Sequence, residues 1–241
     1  MKKYLILFAM LFVPLFLSAG IKEGDDFYRQ GQFVHALEEY EKAVSGYPKN
    51  AYLYYNIGNC YFKLDMIGKS LAYYQKAFEL NPRDPSIRHN LNLALTKTGA
   101  TLVPGGMPEA LHRAYFFLSA VELKGLVFIC FCLLGLGIAF FIVKRKGVSV
   151  VVTFAVLFIC VLGWYGARYT GDNAHTGVIT APLAELHGGP GLNFATNATM
   201  PEGFYFVVED IKDDWYLVVS RDNTEISGWV QKDSIIDIKE L

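Results

Sequence analysis

The sequence predicts a multi-domain chain: an all-α solenoid of helical repeats, a two-helix transmembrane hairpin and a small all-β barrel. Three observations predict it. Residues 36–48, ALEEYEKAVSGYP, return as SLAYYQKAFELNP at 70–82, and self-similarity at an offset of 34 residues (36 to 70) marks a repeat architecture. Two apolar stretches, 125–143 and 148–167, each approach the roughly 20 residues that cross a bilayer as a helix, and the basic turn KRKG joins them. After residue 172, runs such as GFYFVVED and DWYLVVS replace helical periodicity with short strand-like segments.

The repeats come first. Ala36 answers to Ser70, Leu37 to Leu71, Tyr40 to Tyr74, Ala43 to Ala77 and Pro48 to Pro82, while Gly24 and Phe27 fall on Gly58 and Tyr61. Small residues at 24/58, 36/70 and 43/77 let helix backbones approach, and aromatics at 27/61 and 40/74 fill the space between them. Tyr54, Ile57, Tyr61 and Leu64 make one helical stripe; Leu71, Tyr74, Ala77 and Phe78 make the next. Pro48 and Pro82 stop the second helix of each unit. A third helix, Pro85 to Lys97, covers the open end with Leu91 and Leu95 facing inward.

Residues 51–84 resemble the tetratricopeptide repeat, with Tyr54, Ile57, Gly58, Tyr61, Tyr74, Ala77 and Pro82 in place. Ser70, where alanine is usual, and Asp65, where glycine is common, depart from the pattern. With a first repeat at about 17–50, the repeats and their cap occupy 21–98. The resemblance implies that the first helix of each repeat lines a concave face at its fifth, ninth, twelfth and thirteenth positions. These fall on Tyr55, Asn59, Phe62 and Lys63, and on Asp25, Tyr28 and Arg29 in the first repeat, with His89 of the capping helix extending the row. Such a surface suits an extended peptide or a chain terminus. The alternative is that Tyr55 and Phe62 pack the array or rest on the membrane.

The chain is 53% hydrophobic with a net charge of -1, and its apolarity is localised. Residues 1–20 carry Lys2 and Lys3, an apolar run and then Ser18, Ala19 and Gly20, the pattern of a signal peptide cleaved after Gly20; an uncleaved anchor is the other reading. Lys144, Arg145 and Lys146 in the turn at 144–147 place it on the cytoplasmic side, so both flanking portions lie outside the cytoplasm. Neither stretch holds an ionisable carboxylate, lysine, arginine or histidine, which argues for an anchor and against an ion path. Residues 99–124 are broken by Pro104, Gly105, Gly106 and Pro108 and read either as a linker into a longer tilted span or as an interfacial helix from Glu109 to Lys124.

Residues 172–241 resemble a bacterial SH3-like domain, on Trp215 with Tyr216, Leu217 and Val218, then Gly228, Trp229 and Val230, and a closing Ile235, Ile236 and Ile238. Trp215, Gly228 and Trp229 are expected in its core, and Asp213 and Asp214 in a tight turn. This segment has 12 Asp and Glu against 4 Lys and Arg, a net of -8. An acidic module is repelled by phosphate backbones, so nucleic acid is not an expected partner.

No enzymatic signature stands out. The five histidines, at 35, 89, 112, 175 and 187, lie outside any H-E-x-x-H or C-x-x-C context, so no metal or cofactor is expected. There is no phosphate-binding G-x-x-x-x-G-K-[ST] loop and no G-x-S-x-G elbow. The order of modules resembles the BatE-like family of the Bacteroides aerotolerance operons. That resemblance implies an inner-membrane scaffold in envelope stress, with von Willebrand factor A domain membrane proteins and, indirectly, a MoxR-type AAA+ ATPase as partners. A sensor that binds cell-wall peptidoglycan through the SH3-like segment is the alternative.

Overall fold

The computed structural model describes residues 20–100, 108–173, 175–220 and 225–241. The expected signal peptide and the Pro104–Gly106 break lie outside the described residues. The chain divides into two compact units, one of residues up to Gly105 together with His175–Leu241, the other of Gly106–Ala174.

In the first unit, residues 20–29 are helical (α1) and are followed by α2 (Phe33–Val44), α3 (Ala51–Lys63), α4 (Ile67–Leu80) and α5 (Pro85–Thr98). From α2 on, each helix packs on the next. The offset seen in the sequence is an offset in geometry. A Cβ on Gly24 would sit 2.7 Å from the ring of Tyr40, and one on Gly58 would sit 2.6 Å from the ring of Tyr74, so the same glycine admits the same tyrosine in both repeats. The turns repeat as well. Gln32 N donates to Phe27 O and Gly31 N to Tyr28 O, as Met66 N donates to Tyr61 O and Asp65 N to Phe62 O. These paired bonds close a Schellman motif whose pivotal residue must be left-handed: Gly31 at φ 75° in one repeat, Asp65 at φ 59° in the other. Aspartate tolerates that region better than most residues, which is why the glycine expected at 65 is dispensable. Asp84 accepts from Ser86 N and Ile87 N to start α5, with Pro85 in its first turn and left-handed Gly99 at its end.

Among the described residues, the same unit holds seven strands: β1 (Thr176–Ile179), β2 (Leu183–His187), β3 (Thr196–Pro201), β4 (Tyr205–Lys212), β5 (Trp215–Ser220), β6 (Ser227–Gln231) and β7 (Ile235–Asp237). They form one antiparallel sheet in the order β3-β2-β6-β5-β4-β1-β7. Its edges, β3 and β7, do not pair with each other, so the expected barrel is a sheet that stays open among the described residues. Asp213 and Asp214 do make the tight turn, between paired Lys212 and Trp215. The core contains Ile179, Leu186, Phe206, Tyr216, Val218 and Val230. Gly228 is buried and passes close to Leu186, but Trp215 and Trp229 are only half-buried. Strand alternation explains the correction: with Tyr216, Val218 and Val230 turned into the core, their neighbours Trp215 and Trp229 must face the other way.

The sheet and the helical repeats pack together through α4 with β1 and β7. Gly68 is the close-contact point, where a Cβ would meet Ile179 O and Glu202 Cγ, each at 2.6 Å. Glu202 Oε1 accepts from Gly68 N at 2.6 Å, Lys76 Nζ donates to Ile238 O at 3.0 Å, and Gly203, left-handed at φ 84°, lies against Thr98. Burial pushes the Lys76 ammonium below its usual range.

The second unit holds α6 (Glu109–Tyr115), α7 (Ala120–Lys144) and α8 (Val148–Asn173). The last two are long and apolar enough to cross a membrane, and they leave Phe128, Phe131, Leu136 and Ile159 exposed along their lengths. Left-handed Arg145 and Gly147 reverse the chain between them, and Gly137 lets Phe154 approach. Helix α7 begins five residues before the expected span because Ser119 and Glu122 form a capping box there. Of the two readings of residues 99–124, this start lengthens the apolar helix, and the helical residues from Glu109 form a separate α6 that ends at Tyr115. Arg168 is 2% exposed beneath α6: its Nη1 donates to Tyr115 O at 3.1 Å, and its guanidinium lies 4.4 Å from the Phe116 ring centre.

Candidate functional site

The first helices of the repeats and the cap present a row of polar side chains. Along α3, positions 52, 55, 56, 59, 62 and 63 recur at the three- and four-residue intervals that share a helix face. Asp25 on α1 starts the row. Its Oδ1 accepts from Tyr40 Oη at 2.7 Å and Tyr52 Oη at 2.8 Å, and Asn56 Nδ2 lies 3.4 Å away. Asn59 Nδ2 approaches Asn56 Oδ1 at 3.4 Å, and Asn59 Oδ1 accepts from Tyr74 Oη at 2.7 Å and Asn90 Nδ2 at 2.8 Å. Asn90 Nδ2 also lies 3.1 Å from Tyr55 Oη. The network thus runs from α1 through α3 to α5.

The Tyr40, Tyr52 and Tyr74 phenols act as donors, whereas the Tyr55 hydroxyl accepts from Asn90. Burial first, then the hydrogen bond to Asp25, raises both Tyr40 and Tyr52 above the usual tyrosine range, and burial does the same to Tyr28 and Tyr74. Cys60, behind the row and fully buried, is pushed up to about 12 by burial, so its thiol is inert.

The positions expected from the sequence distribute as follows. Asp25, Tyr55 and Asn59 enter the network directly. Tyr28 is half-buried and packs edge-on to Phe33 at 5.3 Å. Phe62 is half-buried under Lys97, whose Nζ lies 4.7 Å from its ring centre. Lys63 is exposed in the last turn of α3, and Arg29 is exposed and pairs with Asp26 at 2.9 Å. His89 is exposed, and it is Asn90 that meets Asn59. Tyr52, Asn56 and Asn90 are additional members. A signal for Asn90 exists in the phase of α5: Ile87 and Ala94 are buried, and position 90, three after one and four before the other, shares their side while 89 does not.

Among the described residues, no group of three His, Cys, Asp or Glu side chains could hold a metal ion. His187 is buried, its Nδ1 3.0 Å from Phe194 O and its ring edge-on to Trp215. The loop HGGPG that it opens is thereby tied to the sheet.

The family model described as tetratricopeptide repeat matches residues 51–84, and that described as TPR repeat matches residues 24–65. No curated protein matches the chain. Among solved structures, the chain is similar to the first TPR of Spaghetti (RPAP3) bound to an HSP90 peptide, SRMEEVD. The identity is 15% and the TM-score 0.21, over 35% of this chain and 94% of that one.

Proposed function

We propose that this chain, with tetratricopeptide repeats over residues 24–84, is a membrane-anchored scaffold that holds an extended segment of a partner protein along the row from Asp25 to Asn90. The observation that carries the reading is the side-chain network itself. The half-buried Asn59 and Asn90 amides have donor and acceptor capacity to share with a peptide backbone, and Tyr55 flanks them, so the surface suits a polypeptide better than a small metabolite. Helices α7 and α8 serve as the anchor. The packing of the C-terminal sheet on α4 supports a topology with both soluble portions on one side, and Lys144, Arg145 and Lys146 in the intervening turn favour the extracytoplasmic side of a bacterial inner membrane. The order of modules favours von Willebrand factor A domain membrane proteins as partners, with a MoxR-type ATPase reached through them. The SH3-like resemblance of the sheet remains part of this reading, as a second interaction module beside the repeats.

The test is co-purification of the tagged full chain from native membranes in mild detergent, with mass spectrometry of what it retains. A Tyr55→Ala, Asn59→Ala, Lys63→Ala variant with unchanged helicity is expected to lose its protein partner. Undiminished recovery with that variant removes the groove from the account, and retention of wall fragments in place of protein favours a peptidoglycan sensor.

A further inference from the structure

The row of polar groups is electrically uneven, and the unevenness lies at Asp25. In the second repeat the corresponding position, 34 residues on, is the neutral Asn59. The Asp25 carboxylate is half-buried, and its hydrogen bonds come from the neutral donors Tyr40, Tyr52 and Asn56. Among the described residues no lysine, arginine or histidine pairs with it. Arg29, one turn along α1 and close to Tyr52, is held by Asp26. Oδ1 is crowded with donors, whereas among the described residues Oδ2 only shares the Tyr52 hydroxyl with it, at 2.9 Å, and keeps acceptor capacity. Tyr52 is 46% exposed beside this oxygen and offers a ring face. The opposite end of the row carries Lys63 and Lys97, the second lying 3.5 Å from Asp65.

We infer that the groove is selective for a cationic segment: an extended peptide that sets a lysine, arginine or free N-terminal ammonium on Asp25 and runs its backbone along Asn59 and Asn90 towards Lys63. This rests on the reading of the row as a peptide groove and names the chemistry of what fills it. A half-buried carboxylate whose donors are all neutral has no ionic partner of its own, and an ammonium or guanidinium arriving there finds both a carboxylate to pair with and an aromatic wall. An acidic chain terminus placed at the same end meets repulsion. The charge also fixes direction, since a cation at Asp25 leaves the ligand's acidic groups to the Lys63 end.

The experiment uses the full chain in mild detergent, panned against an arrayed library of random decapeptides, with the selected peptides then measured by fluorescence anisotropy. Selected peptides are expected to carry Lys, Arg or a required free amine. Asp25→Asn, which keeps an acceptor for Tyr40 and Tyr52 and so preserves the fold, is expected to weaken them about tenfold or more, about 1.4 kcal/mol. The loss should shrink modestly at 1 M salt, where the Debye length falls to about 3 Å, because a half-buried pair is screened less than an exposed one. Selection of acidic peptides, or affinity unchanged by Asp25→Asn yet lost with Asn59→Ala, overturns the charge selectivity while leaving the groove in place. Binding indifferent to both substitutions, or no selection, overturns both.

Discussion

Gly58→Leu is expected to unfold the second repeat. The site has no room for any side chain: a Cβ there would lie 2.6 Å from Tyr74 Cδ1 and 2.7 Å from Cε1, and Tyr74 is itself 1% exposed. Neither partner can give way cheaply. The Gly58 carbonyl accepts from Ser70 Oγ at 2.9 Å, fixing the backbone, and the Tyr74 hydroxyl is held by Asn59 at 2.7 Å. Overpacking a close-packed core costs about 1–3 kcal/mol and more where nothing can move. Displacing Tyr74 would in addition forfeit its bond to Asn59, so the cost is expected at or above about 3 kcal/mol. Thermal melts of the detergent-purified chain check the expectation, with a fall in Tm of roughly 6–12 °C at about 2–4 °C per kcal/mol. Pairing Gly58→Ala with Tyr74→Leu should recover part of the loss, because the clash and the bulk that causes it are then removed together. Gly24 and Tyr40 predict the same for the first repeat.

Gly68→Leu is expected to part the sheet from the helices while leaving each with its own secondary structure. Here the obstacle includes backbone, Ile179 O at 2.6 Å, as well as the Glu202 side chain. The same residue carries a second interaction. Met66 at the start of α4 supplies no side-chain cap, and the Glu202 carboxylate reaches across from the sheet to accept from Gly68 N at 2.6 Å. A carboxylate at a helix N-terminus satisfies an orphan N–H and meets the positive end of the helix dipole. Glu202→Ala alone should therefore cost about 1 kcal/mol, the usual worth of a cap. Gly68→Leu should cost more, because it also lifts β1 from α4 and exposes surface around Leu71 and Ala72, both 0% exposed in the intact unit. Hydrogen exchange separates the two outcomes. With Gly68→Leu, protection should fall along α4, β1 and β7 together, whereas a purely local strain would raise exchange only in the first turn of α4.

Much of the repeat region is legible in the sequence because its determinants are local and periodic. Gly24 and Gly58, Tyr40 and Tyr74, and the Pro85 start of α5 all declare themselves by spacing, and the geometry follows from small residues meeting large ones. The two long apolar helices declare themselves by length and by the basic turn between them, although the start of α7 depends on Ser119 and Glu122, a four-residue signal inside a segment marked by its breaks. The contact of the sheet with α4 was not legible. It pairs Gly68 with Glu202 and Lys76 with Ile238 across more than a hundred residues, and nothing in the local pattern of either segment requires the other. The SH3-like resemblance puts Trp215 and Trp229 in the core, but the pleat of β5 and β6 gives the core to their smaller neighbours. In the groove, the positions on α3 follow from helix period, whereas the role of Asn90 over His89 depends on the phase of α5, a difference of one residue.

Site-specific photo-crosslinking in intact membranes tests the scaffold most directly, with a benzophenone side chain placed in one variant at Tyr55, in the row, and in another at Val34, which is 53% exposed on α2. The account predicts a discrete protein adduct from position 55 that disappears when Asn59→Ala is added, and no such adduct from position 34. The same adduct from both positions, or only lipid adducts from position 55 while a protein partner still co-purifies, would contradict it.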